Sequence, residues 1–188
     1  MNLVKKTFLP LAVIILVSSI ALMACGGEEE AGFNNSSADN GAEPGFGIYL
    51  VDSGELVLSE YHIKAYRRGV QFYDDVDTHV IELNEEGIEK WNSYMTYESI
   101  PKLADSLYSR DFILKIEGEE IYGGKFYSMV SSMSYGGVVI LDALVELDND
   151  HNYIRIDYGY PTPGFATGED PRNSPEVIDY LERRSLLE

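Results

Sequence analysis

The sequence predicts an α+β fold: one domain with a mainly antiparallel sheet packed by helices. Three observations carry that expectation. Short β-type runs follow one another with turn residues between them. Capping signals stand before two apolar-periodic segments, at Asn84 and at Ser174 with Pro175. Two apolar runs, 138–141 and 153–156, flank Asp148, Asn149, Asp150, His151 and Asn152 as an antiparallel hairpin.

The chain opens with a leader. Lys5 and Lys6 form a positive start, and residues 8–24 are an apolar run interrupted by Pro10, Ser18 and Ser19. A membrane-spanning helix needs about 20 predominantly apolar residues, so this order reads as a secretory signal peptide over 1–24. Leu22, Met23, Ala24 and Cys25 close it, and Cys25 is the only cysteine. These four residues resemble the lipobox of bacterial lipoproteins. The resemblance implies that the Cys25 thiol receives a diacylglycerol group and that Cys25 becomes the mature N-terminus. The bland alternative is an incidental cysteine at the end of an ordinary signal or an uncleaved anchor. Residues 25–46 read CGGEEEAGFNNSSADNGAEPGF. With no apolar periodicity, this stretch is expected to be a flexible acidic tether with an r.m.s. span of roughly 25 Å.

The folded domain is expected over 47–188. Residues 48–51 are a β-type run, continued after a turn at Asp52, Ser53 and Gly54 by 56–58. Ser59 is expected to cap a short helix over 61–67 with Ile63 and Tyr66 inward. A polar loop over 72–77 precedes a strand at Val80, Ile81 and Leu83. Asn84 caps a helix through Ile88, Trp91 and Met95, with Leu83 and Ile88 spaced as a hydrophobic staple. Pro101 interrupts it, and Ser99 opens a second segment with Ile100, Leu103, Ala104 and Leu107 at helical spacing. Residues 112–116 are a strand closed by Glu117 and Gly118, and 121–129 carry β-formers around Gly123 and Gly124. The last helix holds Val177, Ile178 and Leu181.

Charge bounds the partners. The chain has 14 basic and 32 acidic residues, a formal net charge of −18; loss of 1–24 removes Lys5 and Lys6 and no acid, which leaves −20. Such a polyanion does not bind nucleic acid through phosphates, and anionic headgroups repel it. The expected hold on the membrane is therefore the anchor at Cys25, on the extracytoplasmic face.

Four segments together resemble the first extracytoplasmic head, the P1 head, of SecD-type protein-export subunits. They are GIYLVDSGELVLSEYHI from Gly47, VIELNEEGIEKW from Val80, FILKIEGEEIYGGKF from Phe112, and the turn Tyr135, Gly136, Gly137 and Val138. Their order matches, over roughly residues 48–142. Gly123 and Gly124 stand where that family often has proline, the transmembrane segments of SecD are absent, and 143–188 have no counterpart. The resemblance implies a head-like module on a lipid tether that contacts a polypeptide or an envelope protein.

Catalytic and metal patterns are weak. Asp148, Asp150 and Asn152 imitate the start of an EF-hand loop, which also needs Gly at its sixth and Glu at its twelfth position. Tyr153 and Gly159 stand there, so a turn is the better reading. Asp74, Asp75, Asp77 and His79 read as a solvated acidic loop. His62, His79 and His151 lack ligand spacing and are expected at surface or edge positions. Ser131, Ser132 and Ser134 lack the glycine frame of a nucleophile elbow. No cofactor, metal or catalytic set is expected, and the reading is a non-enzymatic binding module. The 14 tyrosines are the one unusual count. They suit either interfaces or sheet packing. Tyr158, Tyr160 and Phe165, on a Pro/Gly-rich loop, are the candidate contact residues, with a buried loop as the alternative. A small-ligand or glycan site built on exposed tyrosines is the second functional reading.

Cys25→Ala is expected to leave an unprocessed precursor. Normal-length mature protein in the membrane fraction of that mutant, seen by immunoblot, would overturn the lipobox reading.

Overall fold

The computed structural model describes residues 44–72, 77–95 and 106–188. Eight strands form one sheet: β1 (Phe46–Leu50), β2 (Leu56–Ser59), β3 (Ile63–Val70), β4 (Thr78–Leu83), β5 (Asp111–Ile116), β6 (Glu119–Phe126), β7 (Tyr135–Ile140) and β8 (Tyr153–Tyr160). Among the described residues two α-helices accompany it, α1 (Glu85–Asn92) and α2 (Pro175–Arg183). The order across the sheet is β2-β1-β5-β6-β7-β8-β4-β3. Only β6 and β7 run parallel; every other neighbouring pair is antiparallel. The architecture is α+β with a mainly antiparallel sheet.

Chain connectivity forces the sheet to curl. The outermost strands, β2 and β3, are joined only by the 3-10 turn Glu60–His62. Four residue steps reach about 14 Å. A flat sheet of this width would hold its edges roughly 34 Å apart. The edges must therefore approach each other around a common interior. The buried Glu60 carboxylate accepts from the Gly45 and Phe46 N–H groups at 2.9 and 3.0 Å and from the Tyr180 hydroxyl at 3.0 Å. One side chain thus ties the turn to the start of β1 and to α2. The outer edge of β3 is met by the chain's last residues: Tyr66 N–H donates to Leu186 O at 2.7 Å, and Glu188 N–H donates to Tyr66 O at 2.9 Å.

Three expectations change. The helix expected over 61–67 is the strand β3. Ser59 does bond His62, its N–H donating to Nδ1 at 2.9 Å, but the turn stops there. Ile63 and Tyr66 fit helical spacing, yet the buried Ile63 and Ala65 flank an exposed Lys64, and β4 supplies the ladder. A partner further along the chain overrides the local pattern. The domain also starts before residue 47. Phe46 is fully buried, and Gly45 O accepts from Glu117 N–H at 2.7 Å, although composition places both in the tether. Ser174 stands at the cap position of α2, but its hydroxyl makes no bond; Pro175 fills the first helical position as expected.

The helix at Asn84 forms as its capping residue indicates. Asn84 Oδ1 accepts from Gly87 N–H at 2.9 Å. A Cβ on Gly87 would lie 2.3 Å from His62 O, so glycine lets α1 rest on the 3-10 turn. Trp91 is fully buried; its ring tilts against Phe126 at 6.2 Å, and its Nε1–H donates to Val145 O at 3.1 Å. Phe126 in turn meets Phe112 of β5 at 5.2 Å. The ring thus packs on the sheet through Phe126 of β6, with Val145 O accepting from the indole. Glu117 and Gly118 both have positive φ, 51° and 86°, and close the β5–β6 hairpin. The segment with Ser99, Ile100 and Pro101 lies outside the described residues; Leu107 is fully buried.

Trp91→Ala is expected to cost about 3–5 kcal/mol in urea unfolding. Wild-type emission is expected to be blue-shifted and resistant to quenching; red, freely quenched emission would contradict the buried placement.

Candidate functional site

The one parallel pairing creates an unusual connection. After β6 the chain must travel back before β7 can run alongside it, and such a return commonly takes a dozen or more residues, often with a helix. Here residues 127–134 do it as an irregular crossover. It lies on the sheet face away from the main core. In β7, Val138 and Ile140 belong to that core, whereas the alternate residue Val139 joins Tyr127, Leu141 and Tyr160 in a second apolar cluster, with Tyr135 packed against it. The Tyr127 and Tyr160 rings meet edge to face at 5.2 Å.

Tyr160 reaches this face because of Gly159. Ile154, Ile156 and Tyr158 of β8 all pack with the main core, and strict alternation would send Tyr160 after them. Gly159 has φ +85°, and the pairing jumps from Val138 with Tyr158 to Tyr135 with Tyr160. A Cβ on Gly159 would sit 2.7 Å from Ala166 N. The turned Tyr160 places its hydroxyl 2.9 Å from Ser131 O and 3.2 Å from both Ser128 O and Met129 O. It fastens the crossover by its backbone. Tyr108 adds a second fastening, its hydroxyl donating to Ser131 Oγ at 3.1 Å.

The fastened loop presents apolar side chains to solvent. Met129 is 54% exposed, Val130 86% and Met133 53%. Beside them, Arg155 is bonded to the buried Asp142, donates toward the Met129 sulfur and lies over the Phe72 ring. Lys125 is paired with Asp111. Both cations at this margin are therefore neutralised within the fold.

The three candidate contact residues have separate fates. Phe165 is 48% exposed. Tyr158 is half-buried, and its hydroxyl donates to Thr167 O. Tyr160 is buried, so it serves as a brace rather than as an exposed contact. The strand's glycine kink turns it inward under the loop. The sequence reading passed over Met129, Val130 and Met133. The available signal was three apolar residues among serines between two strands, where a loop is ordinarily polar.

The histidines also separate. His151 is exposed in the β7–β8 loop, where Asp148 Oδ1 accepts from the Asp150 and His151 N–H groups at 2.9 and 2.8 Å; this is the turn expected there. His62 is half-buried against Ser59. His79 contradicts the expected surface position. It alternates inward with Ile81 and Leu83 and is fully buried, its Nδ1 2.8 Å from the Tyr66 hydroxyl and its Nε2 without a hydrogen-bond partner. Burial, then the Arg172 guanidinium, pull its pKa down to about 4. Arg172 is itself buried, bonded to Asp170 and donating to Asp77 O and Ile156 O at 2.9 and 2.8 Å. Asp74 and Asp75 lie outside the described residues.

A groove of about 220 Å³ is lined by Glu60, Tyr61, Arg183, Arg184 and Leu186. It is smaller than the roughly 300–1,000 Å³ of ordinary ligand pockets. Its Glu60 carboxylate is already committed to Gly45, Phe46 and Tyr180. The chain matches no protein-family model, no curated protein and no solved structure.

His79 gives the domain a pH dependence of defined sign. Between pH 6.5 and about 4 the unfolded chain carries a proton on this residue and the folded chain does not. Stability must therefore fall as pH drops through that window, by about 3 kcal/mol from this group. Asp157, whose carboxyl is pushed up by burial, acts in the opposite direction. The difference between wild type and His79→Gln isolates the histidine. Urea midpoints are expected to drop more steeply for wild type below pH 6.5, and parallel curves would contradict a buried neutral His79.

Proposed function

We propose that this chain is a lipid-anchored extracytoplasmic binding module, non-enzymatic, whose crossover surface contacts a polypeptide or envelope protein partner. The observation that carries the reading is the apolar loop at Met129, Val130 and Met133. Its side chains are exposed, while Tyr160 and Tyr108 hold its backbone in place. Exposed apolar side chains on a preorganised loop favour association, because less ordering entropy is lost on contact.

The leader and Cys25 support delivery to the membrane's outer side and anchoring there. The likeness of 48–142 to SecD-type P1 heads favours a polypeptide as the contacted class. The small-ligand or glycan reading has less support: Tyr66, Tyr94, Tyr122, Tyr127, Tyr160 and Tyr180 are all buried.

Photo-crosslinking in intact cells tests this. A benzophenone side chain at Val130 is expected to yield discrete polypeptide adducts that diminish with Met133→Asp. The same group at the exposed Glu86 on α1 is expected to yield none. If probes at 129, 130 and 133 give no polypeptide adduct, the reading fails.

A further inference from the structure

We infer that the crossover surface docks the apolar face of a basic amphipathic helix belonging to that partner; the inference rests on the function proposed above. The first argument is the state of the loop's backbone. Ser128 O, Met129 O and Ser131 O lie against the Tyr160 hydroxyl, and Ser128 O also accepts from Ser131 N–H at 2.8 Å. The Val130 and Met133 N–H groups point to the Ser128 and Ser131 hydroxyls at 3.4 and 3.3 Å. The segment turns on itself here and is irregular through residue 134, so it does not present the regular row of N–H and C=O groups that an added strand needs. The sheet edge at Tyr66 is likewise occupied, by Leu186 and Glu188. Recognition at the crossover therefore runs through side chains, and an extended peptide paired by its backbone is disfavoured.

The second argument is the chemistry of those side chains. Two thioethers and a valine make the crossover's exposed side chains apolar and adaptable, and the half-exposed Phe165 stands on the neighbouring loop. That loop is joined to the end of the crossover by Thr167 N–H donating to Gly136 O at 2.9 Å. Unbranched methionines adjust to the ridges of a helix without demanding one sequence. A helix stripe at i, i+3 and i+4 is the matching shape.

The third argument is charge. With 14 basic and 32 acidic residues, the chain repels a second copy of itself, an acidic partner and an anionic lipid surface alike. The cations beside the patch, Arg155 and Lys125, are already paired with Asp142 and Asp111 and attract nothing further. A helix whose polar face carries lysine or arginine is drawn by this field, and its apolar stripe meets the loop.

The test uses the full lipidated protein in nanodiscs of zwitterionic lipid. Three fluorescent probes of about 18 residues are compared by anisotropy: an amphipathic Leu/Lys helix, a scrambled isomer of it, and a Leu/Glu helix with the same apolar stripe. Binding is read as the difference from discs carrying Val130→Asp, a change at a side chain almost wholly in solvent. The Leu/Lys helix is expected to bind wild type about tenfold more tightly than the variant, and the other two probes about tenfold more weakly than the Leu/Lys helix. Raising salt is expected to weaken the Leu/Lys complex. Equal binding of the scrambled isomer, of the Leu/Glu helix, or to the Val130→Asp protein overturns the inference. If Val130 crosslinks polypeptide in cells while the Leu/Lys helix fails to bind, the helix reading falls and the binding function stands. A crosslinked adduct with the mass of two copies of this chain shows self-association and overturns the inference as well.

Discussion

Glu60 occupies the three-residue turn between the two outermost strands, and the rest of the domain depends on what that turn imposes. Because β2 and β3 are consecutive, eight strands cannot lie flat. The curled sheet gains an interior that Trp91, Phe112, Phe126 and the inward residues of β4, β7 and β8 fill. The carboxylate in this short connection gathers the backbone amides of Gly45 and Phe46, where β1 begins, and the Tyr180 hydroxyl. A buried carboxylate without such partners would be expensive; with three donors it is a fastening. The start of β1, the sheet's edge and the last helix meet at one side chain.

The parallel β6–β7 pair is the second constraint. β7 lies between β6 and β8, antiparallel to β8 and parallel to β6. The chain leaving β6 must then cross the outer face. The face is covered by an irregular segment, residues 127–134, over tyrosines. Tyrosines divide between the two apolar clusters, and the large exposed side chains at 129, 130 and 133 ride on this crossover.

Much of this fold was legible in the sequence. Asn84 capping α1, the burial of Trp91, the turn at Glu117 and Gly118, and the pairing of β7 with β8 all rest on local chemistry, and local chemistry is written within a few residues. The failures share one cause. Ile63 and Tyr66 fit a helix until β4 claims their backbone. Phe46 fits a tether until Glu60, farther along the chain, claims its amide. His79 reads as part of an acidic loop until the inward alternation of β4 is known. The candidate surface was hardest to see, because it is made by a topological accident between β6 and β7 and by the conformation of Gly159. Tyr160 reads as a contact residue until its neighbour's positive φ, invisible in composition, turns it into a brace.

The brace has a consequence for how this surface can vary. The Tyr160 hydroxyl donates to the carbonyl oxygen of Ser131 and lies close to those of 128 and 129, and every amino acid carries a carbonyl. The shape of the crossover therefore depends on Tyr160 and on the serine hydroxyls at 128 and 131 more than on the side chains at 129, 130 and 133. Residues 129, 130 and 133 are like interchangeable type set in a fixed frame. Drift or engineering can rewrite what the loop recognises while the frame beneath it, Gly159 and the tyrosine cluster, stays the same.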